Sequence, residues 1–204
     1  MSAPSEVAIV YDCGSTNLRV LAISPSGEVV AQRKESNSTK PQPGGKPEWR
    51  IWDLDEIWSK LCELTRGILS DIKGRYRPLG VIATTWGADG VFVDGRGNPT
   101  YPAISWQDPR TGEVMAKVRD LVDPWEVFKI TGYQLLPFNT IFKWIWIREN
   151  APEAIRRAKA FLMIPNYISY RLTGEFHIEP TDASTTMAID QVKRDWSEKM
   201  LSIA

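Results

Sequence analysis

Asp12-Cys13-Gly14-Ser15-Thr16-Asn17-Leu18-Arg19 places a carboxylate, a glycine, two hydroxyls and a guanidinium in one short stretch. Phosphate binding needs backbone N–H groups exposed in a concave turn, which glycine permits by tolerating positive φ, and hydroxyls that reach phosphate oxygens. Gly14, Ser15 and Thr16 supply both. A carboxylate repels phosphate directly but suits a Mg²⁺ ion held through water beside it, which makes Asp12 the metal candidate. The same residues read equally well as a plain hairpin turn, since Asp, Gly and Ser are common turn formers. Neither the P-loop nor the Rossmann glycine spacing occurs in the sequence, so a bound nucleotide phosphate would belong at this turn.

A second group is Thr84-Thr85-Trp86-Gly87-Ala88-Asp89-Gly90, with Trp106-Gln107-Asp108-Pro109-Arg110 a short way downstream. Polyols are held by carboxylates and amides that exchange hydrogen bonds with adjacent hydroxyls, and by aromatic faces laid against the C–H face of the carbon skeleton. Both segments carry both ingredients. The competing reading makes Trp86 and Trp106 core residues and Asp89 a turn former ahead of Gly90.

These residues need elements to hold them. Val7–Tyr11 is short, apolar and β-branched, Leu18–Ile23 and Glu28–Gln32 follow after turns, and three antiparallel strands joined by hairpins are expected. Residues 34 to 47, with three prolines and a Gly-Gly pair, read as a surface loop. Asp53 caps a helix carrying Ile57, Leu61, Leu64, Ile68 and Ile72 at helical spacing, Glu56 stands at the capping-box position, and Gly74 ends it. Leu79–Thr85 is a further strand, and Val91–Val93 before Asp94-Gly95-Arg96-Gly97 is one arm of a hairpin. Helices are expected over 110–122, over 138–150, from Pro152, over 166–172 up to Gly174, and from Asp195 to the C-terminus, with a short strand at 161–164. In the 138–150 helix, Lys143, Arg148 and Glu149 interleave with Trp144, Trp146 and Ile147 as an amphipathic face, and most of the nine tryptophans are expected in the core.

Lys plus Arg and Asp plus Glu both number 25, so no global field draws nucleic acid or an anionic membrane, and neither is expected as a partner. Cys13 and Cys62 lack metal-ligand spacing and read as free thiols of a reducing compartment. Met-Ser-Ala-Pro-Ser-Glu at the N-terminus has no basic start or apolar stretch, and no run approaches a membrane span, so a cytoplasmic protein is expected. His177 is the sole histidine, which excludes a His-rich zinc site and a Ser-His-Asp triad within these residues.

Taken in order, Asp12–Arg19, Thr84–Gly90, Ile104–Thr111, Arg171–Phe176, Thr181–Met187 and Asp195-Trp196 resemble the FGGY family of carbohydrate kinases through nearly the whole chain. The order of elements matches, by analogy, the ribonuclease-H-like core of actin and hexokinase: an α/β fold with a mixed sheet flanked by helices. The resemblance implies that Gly14, Ser15, Thr16 and Arg19 face the ATP phosphates and Asp12 the Mg²⁺. It also implies that Thr85, Trp86, Gly87, Ala88, Asp89, Phe138 and Asn139 line a pocket for a small keto sugar of the L-fuculose kind. Relatives often carry Glu or Gln two residues after the tryptophan matching Trp49, where this chain has Ile51, so that loop does not identify the sugar.

In the family the catalytic base is an Asp in a Gly-rich segment further along, and a second domain holds adenine. Residues 1–204 therefore read as most of an N-terminal domain, with the base expected beyond Ala204, the nucleotide-binding domain outside this chain, and the stretch inactive alone. An exposed partner surface would favour self-association. The rival readings are a non-catalytic sugar-binding or regulatory module, a kinase for L-rhamnulose, xylulose or glycerol, and an actin-like ATPase with a structural role.

Overall fold

In a computed structural model, residues 4–204 are described; Met1–Ala3, on which part of the leader reading rests, lie outside them. The chain forms two compact units, one of the residues up to Ser38 plus Asp53–Trp86, the other of Thr39–Trp52 plus Gly87–Ala204.

The first unit starts with β1 (Ser5–Cys13), β2 (Asn17–Ile23) and β3 (Val29–Ser36), antiparallel neighbours in register Asp12↔Arg19 and Leu21↔Gln32. The chain then enters the second unit for β4 (Lys40–Pro41) and β5 (Arg50–Trp52) before returning. There α1 (Leu54–Ile72) and β6 (Tyr76–Thr85) complete the first unit, with β6 parallel to β1 and sheet order β3-β2-β1-β6.

Period-two burial places Val7, Ile9, Tyr11 and Cys13 of β1 and Leu18, Val20 and Ala22 of β2 in the core. Over them lies the α1 stripe Leu54, Ile57, Leu61, Leu64, Ile68 and Ile72. Each such leucine or isoleucine contributes about 2 kcal/mol by leaving water. Asp53 caps α1 by accepting from the Glu56 amide at 2.9 Å, and Gly74 takes the left-handed φ of 76° beyond its end. β6 is one of the two edge strands, and Leu79, Val81 and Ile82 are 59%, 45% and 63% exposed along it.

The second unit resumes with β7 (Gly90–Val93) and β8 (Ala103–Ile104), then a 3-10 turn at Pro109–Thr111 that leads into α2 (Gly112–Leu121). α3 (Pro124–Thr131), α4 (Thr140–Asn150) and α5 (Pro152–Arg157) follow, then β9 (Ala160–Met163), α6 (Ile164–Thr173) and α7 (Pro180–Ser184). β10 (Ile189–Asp190), β11 (Asp195–Trp196) and α8 (Glu198–Ile203) end the chain. Its sheets are β4-β5-β8, β7-β9 and β10-β11, and α4 runs through the core with Val114, Val118, Val127, Met187 and Met200 packed around it.

Several expectations change. The stretch 34–47 is not wholly loop: β3 reaches Ser36, and Lys40 and Pro41 pair with Ile51 and Arg50, Pro41 being tolerated on an edge strand because no amide is needed there. β7 makes only one bridge to the chain beyond its turn, Val93 to Pro99, and takes β9 as its ladder partner. The last helix starts at Glu198, because Asp195 and Trp196 pair with Asp190 and Ile189, and Ser197 supplies the cap through Met200 N–H at 3.3 Å. α3 was not anticipated, although Asp123, Pro124 and Gly132 bracket it with cap, first-turn proline and left-handed stop. Lys143 is not on a polar face but 3% exposed, and of the nine tryptophans only Trp52 and Trp144 are buried.

Candidate functional site

At the end of β1 the Asp12–Arg19 stretch forms a tight hairpin. Gly14 N–H donates to the Asn17 carbonyl at 2.8 Å, and a β-carbon on Gly14 would stand 3.1 Å from that oxygen, so no larger residue closes this turn without displacement. The Gly14 carbonyl accepts from the Asn37 side-chain amide at 2.9 Å, and the Thr16 carbonyl from the Asn37 N–H at 2.9 Å. With both carbonyls drawn to one buried asparagine, the Ser15 and Thr16 amides have no backbone acceptor among the described residues. Two N–H groups and two hydroxyls thus stand at the turn, the arrangement an anion requires. Asn37 lies in the polar run read as loop, and its only sequence signal is a residue type able to bond backbone on both sides.

Arg19 Nη1 donates to Asp12 Oδ2 at 2.9 Å across the β1–β2 register, with both side chains well exposed. Among the described residues no three His, Cys, Asp or Glu side chains gather to hold a metal. A single accessible carboxylate nevertheless fits Mg²⁺, which keeps most of its waters and takes its remaining ligands from phosphates. Cys13, next to Asp12, is buried, and desolvation first and the Asp12 charge second push its thiol up to about 12, so it is inert.

The unit boundary falls inside the second group: Thr85 and Trp86, both part-buried, end the first unit, and Gly87 opens the second. Ala88 is held at φ 67°, a conformation costly for a residue with a β-carbon. Its N–H donates to Thr185 Oγ1 at 3.1 Å, and its carbonyl accepts from Thr140 Oγ1 at 2.9 Å and Lys143 Nζ at 2.8 Å. Gly90 follows where Phe161 and the Leu162 carbonyl would lie 2.5 and 2.6 Å from any β-carbon.

Asp89 is fully buried, and its place differs from the direct hydroxyl contact expected of it. Oδ1 is paired with Lys143, while Oδ2 accepts from Trp52 Nε1 at 2.5 Å and from the Trp106 N–H at 3.1 Å. Both oxygens therefore serve the protein, and Trp106, 39% exposed, is the group that Asp89 sets in place. Asn139 is also buried, its Oδ1 accepting from the Leu136 N–H at 2.7 Å, so it shapes the turn before α4, whereas Phe138 is part-buried.

Asp108 and Arg110 form a buried pair at 2.7 Å. Asp108 also accepts from the Arg50 N–H at 2.5 Å, and Arg110 Nη2 reaches Gln42 Oε1 at 2.8 Å. The guanidinium stands 4.1 Å from the Trp49 ring centre and 4.8 Å from that of Trp146. This clamp fixes the β4–β5 excursion to the Trp106 segment, and it engages the Asp108 oxygens internally. Asp182 stands apart: its Oδ2 is buried with no hydrogen-bond partner among the described residues, and burial first, then the Glu179 and Asp89 charges, push its carboxyl up to about 7.

The fold is shared with solved sugar kinases. Plasmodium falciparum glycerol kinase with ADP superposes with a TM-score of 0.89 at 23% identity, over 100% of this chain and 41% of that one. Xylulose kinase from Rhodospirillum rubrum gives 0.88 at 22% identity, over 97% and 41%. These likenesses define the class of fold, the actin- and hexokinase-type ATPase core. Residues 7–204 match the N-terminal domain of the FGGY family of carbohydrate kinases, and the chain belongs to that family. It is 37% identical over 196 residues to L-fuculokinase of Escherichia coli (strain K12), covering 96% of this chain and 41% of that protein. To rhamnulokinase of Enterobacter sp. (strain 638) it is 34% identical over 202 residues, covering 95% and 39%. The chain thus spans about two fifths of the relatives it matches.

Proposed function

We propose that a protein containing this chain transfers the γ-phosphoryl group of ATP to a hydroxyl of a small keto sugar of the L-fuculose kind, in the cytoplasm. The single observation that carries this reading is the Gly14–Thr16 hairpin, whose Gly14 and Thr16 carbonyls bond Asn37 while its Ser15 and Thr16 amides lack backbone acceptors among the described residues. Phosphoryl transfer depends on alignment and charge neutralisation around the phosphates, and such a turn supplies fixed donors. In this reading Gly14, Ser15, Thr16 and Arg19 hold phosphate oxygens and Asp12 holds Mg²⁺ through water. When bound, the ion neutralises phosphate charge.

Thr85, Trp86, Gly87, Ala88 and Phe138 contact the sugar, the Trp106 face packs on its carbon skeleton, and Asp89 and Asn139 hold these groups in position. The base is expected, by the family resemblance, from a segment of the longer protein beyond Ala204; the oxygens of Asp89 and Asp108 accept internal donors. Residues 1–204 act as most of a sugar- and phosphate-side domain, adenine being held by a second domain of a longer protein. The 204-residue chain alone is inactive.

The test is ADP release by the full-length protein supplied with Mg·ATP and L-fuculose, L-rhamnulose, D-xylulose or glycerol in turn. Turnover on the order of 1 s⁻¹ or faster is expected with at least one sugar, and the 204-residue chain should show none. Release no faster with any of them than without sugar refutes the reading.

A further inference from the structure

Lys143 sits in the middle of α4, flanked by Phe142, Trp144, Ile141 and Ile145, and is 3% exposed. Burying an ammonium is unfavourable unless it is paired and hydrogen-bonded, and an apolar side chain of the same length would serve packing better. Its acceptors are specific. One is the carbonyl of Ala88 at 2.8 Å; the other is Oδ1 of Asp89.

Ala88 holds a left-handed conformation that alanine does not favour. Thr140, one turn before Lys143 on the same helix, bonds the same carbonyl at 2.9 Å, and Thr185 holds the Ala88 N–H from the opposite side. Asp89 carries the restraint onward. Its Oδ1 is paired with Lys143, and its Oδ2 accepts from Trp52 Nε1 at 2.5 Å and from the Trp106 N–H at 3.1 Å. A route of direct contacts therefore runs from α4 through a strained turn to the backbone of a part-exposed tryptophan.

We propose that Lys143 is a positioning residue of the sugar site: by binding the Ala88 carbonyl and the Asp89 carboxylate together, it sets the Gly87–Ala88 turn and the Trp106 indole where the acceptor sugar meets them. This rests on the kinase reading above, in which those groups face the sugar.

The experiment compares the full-length wild type, Lys143→Met, and the double variant Lys143→Met/Asp89→Asn, varying sugar and ATP separately. Lys143→Met should raise the sugar KM by about tenfold or more while leaving the ATP KM within about twofold. Lys143→Met removes the buried cation beside the Asp89 carboxylate and should melt earlier. The double variant removes both charges at nearly constant volume, so it should melt close to wild type yet keep the raised sugar KM. A folded variant whose loss is confined to Vmax, with the sugar KM unchanged, overturns the proposal, since fewer active molecules explain that result.

Should the wild type turn over no sugar, the kinase reading fails separately. The positional claim is then read from the Trp106 emission, taken as the difference from a Trp106→Phe protein, and its quenching by acrylamide. A change between wild type and the double variant supports it, and identical quenching overturns it.

Discussion

The surroundings of Asp182 disturb its carboxyl. Its folded carboxyl is pushed from 3.8 up to about 7 by burial, with the Glu179 and Asp89 charges adding to the effect. The folded state therefore holds a proton that the unfolded chain has released over this interval. Stability from this group is complete below the unfolded value and is lost as pH rises through about 7. Asp182→Asn should accordingly raise the urea midpoint clearly at about pH 8 and far less at about pH 4, and a difference that stays flat between the two would show a carboxylate ionised throughout. The tight turn at Asp12–Arg19 was legible in the sequence, because glycine, hydroxyls and a carboxylate at a strand end announce themselves. Asn37 was not, since a hydrogen bond between loop and turn leaves no spacing to read. Asp89 shows the opposite failure: the sequence marks the residue, but it does not say that its carboxylate is buried against Lys143.

Among elements, α1 was the most legible, because its cap, apolar stripe and terminal glycine all agree. Asp53→Ala removes the acceptor of the Glu56 amide and should cost about 1 kcal/mol of unfolding free energy by denaturant titration. No measurable change would mean that packing of the helix on its sheet alone fixes where it starts. α4 was legible as a helix and illegible as an environment. Its interleaved charges suggested a wet face, yet Lys143 lies in the core because Ala88 and Asp89, more than fifty positions earlier, meet it there. The short strands were hidden for a related reason. β4, β5 and β8 have only two or three residues each, too few for alternation to show, and exist through pairing with one another.

At the scale of the whole molecule, β6 presents an apolar sheet edge, an arrangement prone to pair with other strands. The 204-residue chain should therefore self-associate with rising concentration, and Ile82→Lys should shift sedimentation toward the monomer while changing stability by no more than about 0.5 kcal/mol. An unchanged sedimentation profile would place any association elsewhere. The order in which the chain visits its two units has a consequence in time. β5 pairs with β8 through Ile51↔Ile104 and Trp52↔Ala103, yet α1 and β6, which belong to the other unit, are made in between. At roughly 5–20 residues per second, a ribosome delivers the partner strand several seconds after β5 has emerged. Through that interval β5 can pair with β4 on one side, through Lys40↔Ile51, but has no strand on the other, so the nascent chain displays an unpaired strand edge at Ile51 and Trp52 for chaperones to hold while the first unit can already close around α1.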